Sequence, residues 1–268
     1  MKRILPAILG AAFGLGAASA HALDAGAESV ENYSGCGCNS GNLSYTNDQT
    51  SMFMSRIGNW HNRKFRYTDS SAWNSDMVED ELAGGTDYPY GDTVHILFLS
   101  GHGGLSGNTY NGYLCKSSNF SGCNYNTGSV YLGERSGQAK STHPGSLRFL
   151  LLATCYSVEK TNAADVWGPV FWRGKNFMYV MGYTGTSADS TTTDEVGEDF
   201  AQKAAGDKWT LKQAWFWAIE DWWVNDTGSL ISHGTSSSNA TYNRDQMKID
   251  ATPTGNSPSW VAWAWHEG

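Results

Sequence analysis

Two short turns carry the side chains best suited to chemistry: His102 in Ser100-Gly101-His102-Gly103-Gly104, and Cys155 in Leu152-Ala153-Thr154-Cys155-Tyr156-Ser157. A thiol is mostly protonated near neutral pH, so a neighbouring imidazole that takes its proton raises its reactivity. The same imidazole can later protonate an amine leaving group. His102 is therefore the candidate general base and Cys155 the candidate nucleophile. The glycines around His102 leave room for a substrate, and their backbone N–H groups can face a developing oxyanion.

Those turns need elements that bring them together. Val94 to Leu99, Leu147 to Ala153 and Phe177 to Met181 are compact apolar runs of the kind found in strands buried on both faces, and each ends in a polar loop. Helical patterns lie between and after them: Asp48 to Trp60, a segment near 161–173, Asp194 to Ala205, and Thr210 to Val224. Alternation of strand and helix predicts a mostly parallel α/β sheet, whose functional crevice lies beyond the carboxyl ends of the strands. His102 and Cys155 both fall there. Less regular signals predict a short strand or loop over 64–73, a short acidic helix from Ser75 to Leu82, a long loop over 105–145, a Ser/Thr/Asn-rich loop around 234–243, an amphipathic stretch from Gln246 to Ala251, and a last strand in the alternating Trp-rich C-terminus.

The order of Met-Lys-Arg, an apolar stretch over Ile4 to Ala18, then Ala20-His21-Ala22 predicts a secretory signal peptide over 1–22, cleaved before Leu23. Residues 23–47 read as an irregular N-terminal segment and 48–268 as a single α/β domain. The leader and a composition low in charge and rich in Gly, Ser, Thr, Asn, Trp and Tyr predict an oxidising destination, secreted or periplasmic, where most of the five cysteines would pair. Cys36, Cys38, Cys115 and Cys123 are candidates for two disulfides. A Cys115–Cys123 bridge would close a short polar loop, but cross-pairing is equally open among the three connectivities. Cys155 is then left over. A net charge of −8 without a Lys/Arg cluster excludes nucleic acid and anionic membrane as main partners. His143, His233 and His266 lack the close spacing of zinc ligands, and His95 sits inside a strand.

The two strand ends, Leu97-Phe98-Leu99-Ser100-Gly101-His102-Gly103 and Leu150-Leu151-Leu152-Ala153-Thr154-Cys155, resemble the caspase, metacaspase, legumain and gingipain group of cysteine peptidases (clan CD). In that group a hydrophobic strand ends in His-Gly and a later one in Ala-Cys or a close variant. Cys155 follows His102 by 53 residues, against a spacing of about 50 in caspases. The resemblance covers roughly the middle third of the chain and implies a three-layer α/β/α sandwich of caspase-like type. It also implies a His102/Cys155 dyad, an oxyanion hole from the N–H groups of Gly103 and Cys155, and peptide hydrolysis through a thioester without a metal or other cofactor. Thr154 departs from the Ala usual before the cysteine. Tyr183 to Asp194 occupies the place of part of the specificity pocket, so Asp189 and Asp194 are candidate substrate-binding acids for Arg or Lys side chains. Asp194 doubles as an N-cap candidate.

Two other readings compete. Twelve Trp and 13 Tyr suit a secreted carbohydrate- or peptide-binding domain. The helical spacing of Trp215, Phe216, Trp217, Ile219, Trp222 and Trp223 suits packing against a sheet instead. The third reading is a caspase-like fold that has lost activity and serves as an interaction protein. For the enzyme, the expected partner is a peptide or protein substrate.

Overall fold

The computed structural model describes residues 22–79, 82, 84–133, 145–174, 176–220, 226–254 and 257–267. The signal-peptide reading, His143, and Asp221 to Val224 of the expected fourth helix lie outside the described residues, apart from Ala22.

The three apolar runs form the parallel strands β3 (Ile96–Ser100), β7 (Phe149–Ala153) and β8 (Tyr179–Thr184), every residue of which is buried. Side chains alternate between two cores because successive residues of a strand point to opposite faces. Ile96, Phe98, Phe149 and Leu151 pack on one side, Leu97, Leu99, Leu150 and Leu152 on the other. Each fully buried Leu or Phe stabilises the fold by about 1.5–3 kcal/mol. Further strands are β1 (Asp24–Ser29), β2 (Asn62–Thr68), β9 (Thr227–Gly234) and β10 (Trp260–Glu267), giving the seven-stranded order β10-β9-β8-β7-β3-β1-β2. Strands β1, β2, β3, β7 and β8 run parallel, β9 is antiparallel to β8, and β10 antiparallel to β9.

Helices cover both faces. On one lie α1 (Thr46–Ile57), α3 (Val196–Ala201), α4 (Leu211–Ala218) and α5 (Ser237–Gln246); on the other lies α2 (Ala163–Arg173). The arrangement is the expected three-layer α/β/α sandwich with a mostly parallel sheet. Thr210 opens α4 through a capping box with Gln213, as its sequence position suggests. The helix expected over Asp194 to Ala205 is shorter, and Gln202–Gly206 continues it as a π-turn.

Four expectations change. Residues 23–47 are not all irregular: β1 inserts between β2 and β3, so the sheet begins before residue 48. Its sequence, Asp-Ala-Gly-Ala-Glu-Ser, has little strand propensity, and at Gly26 the neighbouring strand leaves no room for a side chain. A Cβ on Gly26 would come within 2.5 Å of the Phe65 ring. The 105–145 loop holds a second sheet, β4 (Gly103–Ser106), β5 (Thr109–Tyr113) and β6 (Asn124–Asn126). The polar 234–243 segment forms most of α5, which buries only Ala240 and is held by side-chain hydrogen bonds: Ser232 Oγ donates to the Ala240 carbonyl at 3.0 Å, Tyr179 to the Arg244 carbonyl at 2.6 Å. Within Ser75 to Leu82 the described residues make only a 3-10 turn, Asn74–Met77.

Candidate functional site

His102 follows the last residue of β3 by two positions and Cys155 that of β7 by two, and these strands are neighbours in parallel register, with Ser100 opposite Ala153. The register delivers both side chains to one crevice at the carboxyl end of the sheet. They line the same small cavity. Gly101 N–H donates to the Ala153 carbonyl at 3.3 Å, tying the two turns together.

The orientation of His102 is set by groups from the β1–α1 connection. His102 Nε2 lies 2.8 Å from the Gly41 carbonyl oxygen. A carbonyl only accepts, so Nε2 carries the hydrogen, and the neutral ring keeps its lone pair on Nδ1. The Tyr33 hydroxyl accepts the His102 backbone N–H and donates to the Tyr113 carbonyl, both at 2.9 Å, and its ring lies 4.7 Å from the imidazole. Burial pushes the Tyr33 phenol well above its ordinary range, so it stays neutral. Gly101 has no side chain because a Cβ there would meet the Tyr33 oxygen at 2.5 Å.

Cys155 is the one cysteine outside a disulfide and is half-buried. Its Sγ accepts from Ser187 N–H at 3.4 Å. Behind it, Ser157 Oγ donates to the Thr154 carbonyl and accepts the Tyr183 N–H, both at 2.9 Å, while the Trp167 indole donates to the Ser157 carbonyl at 2.8 Å. Tyr156 takes a left-handed φ of 54°, uncommon for a residue with a side chain, and its N–H reaches the Gly185 carbonyl at 2.5 Å. Thr154 is buried against Tyr110, its hydroxyl 2.7 Å from the phenol, which accounts for a hydroxyl residue beside the cysteine.

Gly103 abuts the cysteine turn: a Cβ on it would meet the Cys155 carbonyl at 2.5 Å. Gly103 faces Gly112 across the β4–β5 hairpin, one step from the Tyr113 N–H to His102 carbonyl bond of 3.1 Å. Antiparallel pairs alternate, so Gly103 occupies the position whose N–H the hairpin leaves unused.

Asp189 lines the cavity, but its two oxygens accept the N–H groups of Ser44 at 2.7 Å and Tyr45 at 2.9 Å, at the start of α1. Asp194 is half-buried and does not line this cavity; Glu195, not Asp194, is the N-cap of α3. The disulfides are Cys36–Cys115 and Cys38–Cys123, one of the two cross-paired arrangements. Both anchor the connection that holds Gly41 to the second sheet. Sequence reasoning missed Gly41, Tyr33 and Ser187, since a backbone carbonyl, a backbone N–H and one tyrosine among 13 leave no pattern to read.

Among the described residues no group of three or more His, Cys, Asp or Glu is placed to hold a metal, and no helix is long and apolar enough to cross a membrane. Two disulfides mark an oxidising, extracellular-type environment. His95 and His233 have structural partners: His95 Nδ1 accepts Asp24 N–H at 3.1 Å, and His233 Nε2 meets the Phe177 carbonyl at 2.8 Å. His266 stacks on Phe216.

No curated protein matches the chain. Over residues 27–267, nearly all of the described structure, the chain belongs to the family described as Domain of unknown function (DUF6345).

Proposed function

We propose that the chain is a secreted cysteine hydrolase acting on peptide bonds. The observation that carries this reading is the meeting of His102 and Cys155 in one crevice at the ends of adjacent parallel strands, with the imidazole tautomer set by the Gly41 carbonyl. His102 Nδ1 takes the thiol proton, and Cys155 Sγ attacks the scissile carbonyl carbon. The backbone N–H groups of Gly103 and Cys155 receive the developing oxyanion. Collapse breaks the C–N bond, and the leaving amine takes the proton from Nδ1. A water molecule, deprotonated by the same nitrogen, then hydrolyses the thioester and frees the thiol.

The other four cysteines are in disulfides, so alkylation reports Cys155 alone. Iodoacetamide should label the native protein at this residue, and His102→Ala should slow labelling at least tenfold. Cleavage of a peptide library should disappear in Cys155→Ala. A thiol that reacts only after unfolding would sink the reading and leave an inactive interaction protein in its place.

A second reading, a carbohydrate-binding domain, is favoured by the exposure of Trp172 (54%), Trp260 (55%) and Trp265 (48%). Quenching of tryptophan fluorescence by soluble oligosaccharides, with labelling of Cys155 independent of His102, would support it over the hydrolase.

A further inference from the structure

The cavity beside Cys155 has a volume of about 30 Å3. A water-sized probe needs about 10–15 Å3 of such space, so the cavity admits roughly two atoms of that size. Its walls do not yield easily. Thr46 Oγ1 donates to the Val30 carbonyl at 2.9 Å, and Gln49 is held at both ends of its amide, by Ser100 Oγ and by the Thr193 carbonyl. Ala153 is fixed within β7, Ala188 N–H donates to Asp226 at 2.8 Å, and Asp189 is bound to Ser44 and Tyr45. Leu43 closes the outer side and is only partly buried.

On the hydrolase reading above, we infer that this cavity receives the side chain of the residue whose carbonyl Cys155 attacks, and restricts it to glycine, alanine or serine. A methyl or hydroxymethyl group fills the available space. The four-carbon stem of lysine or the guanidinium of arginine does not fit, and the Asp189 carboxylate is aimed at the start of α1 rather than at a bound cation. The substrate class that follows is a polypeptide cut after a small residue, not after a basic one. One methylene in an apolar pocket changes selectivity by about 10–200-fold, so side chains several atoms too large should be rejected by more than that.

The test uses the intact disulfide-bonded protein and peptidyl acyloxymethyl ketones that differ only in the residue beside the reactive group. Rates of Cys155 labelling, followed by mass spectrometry, should be highest for the glycine, alanine and serine probes and at least 100-fold lower for leucine, lysine and arginine. His102-dependent labelling that is as fast with lysine, arginine or leucine as with alanine would overturn the inference and leave the hydrolase standing. If no probe reacts in a His102-dependent way, the hydrolase reading falls and this one with it. Leu43→Ala removes the least constrained wall, and should raise the leucine-to-alanine rate ratio at least tenfold. An unchanged ratio would count against the cavity as the side-chain site.

Discussion

Replacing Tyr33 by phenylalanine removes one oxygen atom from beneath the candidate base. That oxygen is fully buried and mediates between the His102 N–H and the Tyr113 carbonyl, at 2.9 Å from each. Without it, both backbone groups lose their partner, at about 1–3 kcal/mol each. The hairpin can recover part of this by closing until His102 and Tyr113 bond directly, so we expect a net loss of about 2–4 kcal/mol. For a chain of this size that lowers the unfolding midpoint by roughly 5–15 °C. Closure also moves the imidazole by on the order of 1 Å, and a misplacement of that size costs about 100-fold in rate. Thermal unfolding and the rate of Cys155 alkylation, measured on the same preparation, separate the two effects. We expect Tyr33→Phe to stay folded at 25 °C while alkylation slows by about 10- to 100-fold. If the variant keeps both its midpoint and its alkylation rate within twofold of wild type, the hydroxyl does not position His102 and the account of the site is wrong.

Asp189→Ala should slow alkylation at least tenfold by freeing the Ser44 and Tyr45 N–H groups, three and four residues from the Gly41 carbonyl, whereas an acid that only binds basic substrates would leave reaction with a small alkylating agent unchanged. Reducing the disulfides should lower the urea midpoint, since bridges spanning 79 and 85 residues restrict the unfolded chain by about 4 kcal/mol each on a chain-entropy basis, with less than full additivity because the loops overlap; an unchanged midpoint after verified reduction would contradict this. Burial raises Asp76 from 3.8 to about 6, so its contribution to stability is greatest below pH 3.8 and about 2–3 kcal/mol is lost as pH rises through 6. Buried Glu28, raised by burial and then by the nearby Asp76 charge, acts in the same direction. Burial lowers His61 from 6.5 to about 4, so stability from this group is present above pH 6.5 and lost as pH falls towards 4. The two groups act in opposite directions between pH 4 and 6.5; relative to wild type, Asp76→Asn should tilt the profile towards stability rising with pH and His61→Gln towards stability falling with pH, read as urea midpoints, and parallel profiles in all three proteins would refute the assignment.

The parts of the fold legible in the sequence are those whose stability comes from apolar side chains in a fixed rhythm. Strands β3, β7 and β8 lie between two helical layers, so every position is apolar or small and the run is continuous. Helices α1, α2 and α4 carry apolar stripes, and their starts or ends bear ordinary polar punctuation. Strand β1 is illegible in the sequence for the opposite reason. Phe65 crosses it on one face and α1 closes on the other, so selection for close approach replaces the usual β-branched residues with Ala and Gly. Helix α5 is illegible because its attachment is by hydrogen bonds, which leave no periodicity. The disulfide pairing was undetermined because it depends on how far the N-terminal connection folds back over the second sheet, a property of the chain path and not of cysteine spacing.

The same distinction runs through the candidate site. The candidate reacting groups, His102 and Cys155, are side chains and are visible as residue types after apolar runs. Their positioning comes from a backbone carbonyl at Gly41, a backbone N–H at Ser187 and a hydroxyl reached across 69 residues of sequence from Tyr33. All the groups that fix the imidazole belong to the connection between β1 and α1, the stretch whose composition looked least structured. That connection is held by Cys36 and Cys38 to the loop between β5 and β6, by Asp189 to the loop after β8, by Asp69, which accepts the Glu31 and Asn32 N–H groups at 2.8 Å, and within itself by Leu43 N–H to the Glu31 carbonyl at 3.0 Å. A loop rich in Gly, Ser and Asn has no core of its own, so such cross-links are what allow its backbone to serve as a fixed acceptor. Loosening any one of them should therefore reach His102 before it reaches the sheet, and His102-dependent alkylation of Cys155 should be lost at lower denaturant than the fold.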